Sequence, residues 1–120
     1  MRIVKTLTVC AGLAASATPA LAMDAIMSRG DFLDTLGGRD LTIRLYGLSL
    51  EVAGDGEIKG RALGRDVTGQ WTWEDGYFCR DLMWGEREIG YNCQLVQVDG
   101  NKMRFTTDRG AGDYADFRLR

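Results

Sequence analysis

The chain has 120 residues, with 15 basic side chains against 17 acidic ones, no histidine and a net charge of −2. That length supplies one domain with one modest core. The acidic balance argues against a nucleic-acid partner, which needs a basic face, and the lack of histidine removes the commonest acid–base group near neutral pH.

The first residues follow the order of an export signal. Arg2 and Lys5 make a positive start, an apolar stretch runs from Leu7 to Ala17, and Ala20-Leu21-Ala22 is a small-x-small cleavage site. The stretch is shorter than the about 20 residues that cross a bilayer. Leu7-Thr8-Val9-Cys10 is a poor lipidation box, because Val9 is bulky and little apolar sequence precedes Cys10. The expected product begins at Met23, carries no lipid and no membrane span, and is periplasmic or secreted. Removing residues 1–22 leaves 98 residues, and losing Arg2 and Lys5 takes the net charge from −2 to −4. Cys10 leaves with the signal. Cys79 and Cys93 remain, and in an oxidising compartment two cysteines are expected to pair. A zinc site, the competing use, needs more thiolates or imidazoles than the chain holds.

From Asp24 to Leu36 the sequence predicts a short helix, or one interrupted at Gly30. Ile26, Phe32, Leu33 and Leu36 share a side, Asp31 serves as an internal N-cap, and Gly37-Gly38 ends it. Eight alternating runs follow, over 41–46, 48–53, 57–63, 67–74, 77–84, 88–98, 102–107 and 114–120. Glycines separate them, with Asp-Gly hairpin signals at Asp75-Gly76 and Asp99-Gly100. The only proline lies in the signal, so proline blunts no strand edge. Closing the sheet removes the edges, and eight strands make a barrel that side chains fill or that holds one small ligand. The expected fold is mainly β: a small eight-stranded antiparallel up-and-down barrel, with the N-terminal helix packed on it or plugging an end. An open sandwich is the competing arrangement. Gly69-Gln70-Trp71 echoes the G-x-W of lipocalin-like barrels, although here it falls mid-chain.

The cysteines bear on register. A three-residue loop, Gly85-Glu86-Arg87, would set Trp84 opposite Glu88 and Cys79 opposite Cys93. The bridged α-carbons are expected within about 4.4–6.8 Å.

Candidate chemistry is sparse. Gly110-Ala111-Gly112-Asp113-Tyr114-Ala115 has the spacing of a dinucleotide fingerprint, but that motif needs a following helix, and only five residues remain. It reads as a turn. Past the signal, only Ser28 and Ser49 offer a serine hydroxyl, with no histidine to activate either. Asp81 with Glu88, or Asp108 with Asp113, are the carboxylate pairs for acid–base work. Asp55, Asp99 and Asp108 sit at turns, where aspartate bonds to nearby backbone. Trp71 and Trp73 are two apart and share a face with Val67 and Gly69. Trp84, Tyr77, Phe78 and Tyr91 lie on the next two strands. Inward, this aromatic set is core; outward, it is a binding surface with Arg80 and Asp81. If a binding site exists, it is sought at Arg80, Asp81, Trp84 and Tyr91 on the disulfide hairpin. No catalytic residue, metal ligand or cofactor site is assigned.

From about Arg39 onward the chain resembles a family of short exported bacterial proteins of unknown function. The resemblance is carried by Gly69-Gln70-Trp71, Gly76-Tyr77-Phe78-Cys79-Arg80-Asp81-Leu82, Gly90-Tyr91-Asn92-Cys93-Gln94 and Asp108-Arg109-Gly110. Some members are labelled dihydrodipicolinate reductase, which implies a cytosolic nicotinamide enzyme. This chain departs from that label in its export signal, its missing dinucleotide motif and its length.

The expectation is therefore an exported, monomeric, non-enzymatic binding module of the cell envelope, taking a small apolar ligand or a protein target as an inhibitor does. A small carboxylate-based hydrolase or isomerase and a structural envelope component are the alternatives. Intact-mass measurement of exported protein should give the mass of residues 23–120 without lipid. A mass retaining residues 1–22, or a lipid on Cys10, contradicts this.

Overall fold

A computed structural model describes residues 23–120; residues 1–22, on which the expected export signal and Cys10 fall, lie outside the described residues. The described part opens with strand β1 (Asp24–Ile26) and helix α1 (Arg29–Leu36). Eight strands follow: β2 (Leu41–Ile43), β3 (Leu48–Val52), β4 (Glu57–Ala62), β5 (Arg65–Glu74), β6 (Tyr77–Trp84), β7 (Arg87–Asp99), β8 (Lys102–Thr106) and β9 (Tyr114–Leu119). Each falls on one of the alternating runs read from the sequence.

The N-terminal segment corrects two expectations. Residues 24–26 are not the start of the helix, and Asp31 is not its cap. Ser28 is extended (φ −125°, ψ 154°), and its Oγ accepts the Asp31 backbone N–H at 3.1 Å. Helix α1 therefore begins after Ser28, and Asp31 sits in its first turn, where a carboxylate suits the exposed N–H groups. Gly37, at φ 57°, closes the helix by donating its N–H to the Leu33 carbonyl. Residues 24–26 are extended because a sheet edge is open to them. Strand β6 reaches along β7 only as far as Gln94, where Phe78 pairs, so residues 96–98 of β7 are free on that side. β1 takes this stretch, pairing Asp24 with Val98 and Ile26 with Val96, and it buries Ile26.

Strands β2 to β9 form a closed antiparallel ring in chain order, sealed by β9 against β2. The 13-residue strand β7 pairs β6 through its first part and β8 from Leu95 to Asp99. Inward positions alternate with outward ones. On β5, Val67, Gly69, Trp71 and Trp73 point in, while Thr68, Gln70 and Thr72 are exposed. The two tryptophans thus share the inner face, as their spacing requires. With Lys59 and Arg61 on β4, the outer face here is polar, a surface for water rather than the apolar band of a lipid-facing barrel. No helix among the described residues is long and apolar enough to cross a membrane.

Two inward glycines let the wall bend sharply. A Cβ on Gly69 would lie 2.1 Å from the Asp81 carbonyl oxygen, and one on Gly60 would lie 1.9 Å from that of Ser49. Both clashes are with backbone, so only glycine admits these close strand approaches.

The disulfide joins Cys79 and Cys93, which are opposed across β6 and β7. The loop expectation is wrong in detail. Trp84 pairs Arg87 across a two-residue turn, Gly85-Glu86, and the extra residue enters as a bulge, where register shifts between Leu82 and Met83. Ile89 is left unpaired, and Gly90 takes a φ of 95°. The turn and the bulge together consume the same number of residues as a three-residue loop, so the cysteines still meet. Their α-carbons are 3.9 Å apart, below the expected bridging range. Directly opposed residues of an antiparallel pair already lie about 4.5–5.5 Å apart, and the bridged pair is closer still. In the chain-entropy model such a bridge stabilises by about 3 kcal/mol. The glycine-rich segment at 110–115 is a turn leading into β9, with no helix after it, so the dinucleotide spacing there is accidental.

On the outer face, Arg104 and its cross-strand partner Asp116 form a two-pronged ion pair, Nε–Oδ1 at 2.7 Å and Nη2–Oδ2 at 3.0 Å. The hydrogen bond from Arg104 holds the Asp116 carboxyl below the usual aspartate range, with partial desolvation opposing and the positive charges of Arg104 and Lys102 assisting. A carboxylate depressed in the native state contributes stability above its unfolded pKa, about 3.9, and loses it as pH falls through the lower native value. Denaturation across the acid range should show wild-type stability falling through this window, with a shallower fall in Asp116→Asn. Identical acid profiles for the two proteins contradict the pairing.

Candidate functional site

The two ends of the barrel differ. Helix α1 closes one of them. Phe32 is fully buried there, with ring centroids 5.3 Å from Trp71, 5.2 Å from Trp73, 5.2 Å from Phe78 and 6.3 Å from Phe105. Polar contacts fasten the plug. The Trp73 indole N–H donates to the Met27 carbonyl at 3.1 Å, and Arg29 donates to the Gly54 carbonyl while lying over the Trp71 ring. Arg39, just past the helix, donates to Asn101 in the β7–β8 turn.

The opposite end is the mouth, formed by the connections at 44–47, 63–64, 85–86 and 107–113. Large apolar side chains are exposed on these connections, Leu45 at 82 % and Leu63 at 63 %. Below the mouth lies a cavity of about 280 Å³, lined by Leu41, Leu50, Val52, Ile58, Leu82, Phe105 and Phe117, with Phe78 at its base. At about 30 Å³ per water, that volume matches roughly nine molecules of liquid water. It lies just under the about 300–1,000 Å³ range usual for small-ligand sites. The lumen is thus filled at the plug and hollow toward the mouth.

Two inward polar side chains border the cavity from neighbouring strands. Arg80 is on β6, and Gln94, on β7, opposes Phe78. Gln94 is 7 % exposed. The Arg80 Nη1 donates to the Gly90 carbonyl at 2.8 Å, and among the described residues Arg80 makes no ion pair. Burial pushes the guanidinium pKa down, and Asp81 across the sheet partly offsets this. The mouth loop is held at its start by Asn92, which donates to Asp108 Oδ1 at 2.8 Å and accepts the Asp108 N–H at 3.0 Å. Asp108 and Arg109 both take positive φ, 54° and 55°, a conformation this double bond supports.

The four residues singled out from the sequence do not form one surface. Arg80 lines the lumen. Trp84 also points inward, but its indole N–H is spent on the Ala62 carbonyl at 2.7 Å and its ring is covered by Arg65, so it belongs to the wall. Asp81 and Tyr91 are cross-strand partners on the outer face. They border a broad polar groove of about 820 Å³ with Gln70, Thr72 and Glu57. Alternation along a strand separates Arg80 from Asp81, and parity alone predicts that split. The same parity would have found the lumen residues Leu41, Leu50, Ile58 and Phe117, which the aromatic set obscured.

Beside the disulfide, the Tyr91 hydroxyl lies 3.1 Å from Glu74 Oε2 and 3.3 Å from Cys93 Sγ. Desolvation, then the bond to Glu74 and its negative charge, raise the phenol above its usual range. The sulfur atoms of Cys79 and Cys93 and a Glu74 oxygen lie within 4.8 Å of one another, but the sulfurs are bonded to each other and supply no thiolate for a cation. The serines are also engaged. Ser28 caps α1, and Ser49 Oγ donates to Asp40 at 3.4 Å. Asp108 is tied to Asn92, and the Asp55 carboxylate accepts the Glu57 N–H at 2.9 Å as a turn aspartate does.

No family model, no curated protein and no solved structure matches this chain.

Proposed function

We propose that this chain is an exported, non-enzymatic binding module that holds one small, mostly apolar ligand in the barrel lumen. The observation that carries the reading is the unequal filling of the barrel. Helix α1 fills one end by packing Phe32 on Trp71 and Phe78, while the other keeps a cavity of about 280 Å³ walled mostly by aliphatic and aromatic side chains. A barrel of this size closes fully when its inward side chains are large enough. Here space remains between Leu41, Leu50, Ile58, Leu82 and Phe117.

The supply of chemistry supports binding over bond-making. The chain has no histidine, its two non-signal cysteines are joined, and its two non-signal serines are engaged in local structure. Arginine and aromatic side chains suit recognition. The disulfide hairpin and the ring of strands also make the lumen rigid, so little ordering entropy is lost when a ligand enters. Export rests on the N-terminal signal pattern, and the disulfide accords with it.

The test is titration of an environment-sensitive apolar dye into purified protein. Binding should saturate at one dye per chain. Ala115→Trp, which fills the cavity beside Phe117, should weaken it at least tenfold, and Gln70→Ala on the outer groove should leave it unchanged. Equal binding by Ala115→Trp contradicts the lumen reading. So does hydrolase turnover by pure protein that Asp81→Asn abolishes without loss of fold.

A further inference from the structure

The lumen is apolar on most of its wall, and its charged lining residues are Arg80 within and Asp113 at the mouth. Arg80 projects into it from the middle of β6, half-buried, with Asn92 directly opposite it on β7 and Gln94 the next inward residue along that strand. A guanidinium presents five N–H donors, and one contact, to the Gly90 carbonyl, is made within the protein. No carboxylate among the described residues stands within ion-pair distance. The carboxylates around it are placed or engaged elsewhere. Asp81 follows in sequence but faces outward, Asp113 borders the mouth, and Asp108 is held by Asn92, the residue opposite Arg80.

Placing a cation in an apolar lumen is costly unless an opposite charge compensates it. In the other arginines with mapped partners, a local role is evident. Arg104 pairs Asp116, Arg61 pairs Asp66, and Arg39 caps the carbonyls at the end of α1. Arg80 alone of these combines burial against a cavity with no anion.

We infer that Arg80 receives the anionic head of the lumen ligand, and that the ligand is a short-chain carboxylate amphiphile. This inference rests on the lumen reading above and specifies its occupant. A carboxylate is favoured because its two oxygens match the planar guanidinium fork. The Gln94 amide beside it supplies a further planar donor. The tail lies against Leu50, Ile58, Phe105 and Phe117, and the cavity volume restricts it to a chain of modest length. The apolar wall contributes affinity, and the guanidinium within the lumen fixes which end of the ligand enters.

The experiment compares octanoate, octanol and octylamine by calorimetric titration at neutral pH. Wild type should bind octanoate at one per chain, at least tenfold more tightly than octanol, and octylamine more weakly still. Arg80→Met should lose at least tenfold in octanoate affinity while binding octanol as wild type does, and Arg80→Lys should recover part of the loss. Thermal denaturation checks that the variants fold, and the three-ligand ranking in wild type decides the matter even if they do not. Equal affinity for octanoate and octanol overturns the anion inference and leaves the lumen reading standing. Absence of binding by all three overturns both.

Discussion

Phe32 is the contact on which the architecture turns. Its ring is fully buried against Trp71, Trp73, Phe78 and Phe105, which come from β5, β6 and β8. β5 and β6 are neighbours and β8 lies beyond β7, so one side chain from an eight-residue helix ties these parts of the ring together at one end. The helix itself is too short to be stable alone. It persists because Ser28 caps its start, Gly37 ends it, and Phe32 and Leu36 are removed from water. Aromatic pairs at these distances add about 0.5–1.5 kcal/mol each beyond the area they bury.

That plug determines what the remainder of the interior can be. With one end packed by rings, the free cavity opens toward the mouth, where Thr107, Asp113 and Tyr114 border it. The disulfide hairpin sets the other boundary. Cys79 and Cys93 lock β6 to β7 one residue before Arg80, so the position of the guanidinium is held by a covalent bridge outside and by the Gly90 carbonyl inside. A polar group in an apolar lumen needs such fixing to recognise anything selectively.

Much of the fold was legible because the signals were local. Alternation from Leu41 onward, punctuated by glycine, marked eight strands, and the absence of proline after residue 19 argued for closure. The parity of Trp71 and Trp73 held. What escaped depended on distant partners. Asp24–Ile26 has the composition of a helix start, yet it pairs with β7 because β6 ends early on that edge. The Ile89 bulge was hidden because a tight turn plus an extra residue leaves the cysteine register unchanged. The candidate site was legible in part. Arg80 was named, but Asp81 and Tyr91 were grouped with it by nearness along the chain and across the hairpin, where alternation puts them on the other face.

The central claim is that α1 is a structural plug held by Phe32 and not a segment resting on a finished barrel. Urea denaturation of Phe32→Ala, compared with wild type, tests it most directly. Loss of a fully buried phenylalanine from a packed cluster costs about 3–5 kcal/mol, and the account predicts a loss of that size within one cooperative transition. A loss under about 1 kcal/mol, which is the scale of an ordinary surface or weakly packed substitution, would contradict the plug and with it the one-ended lumen.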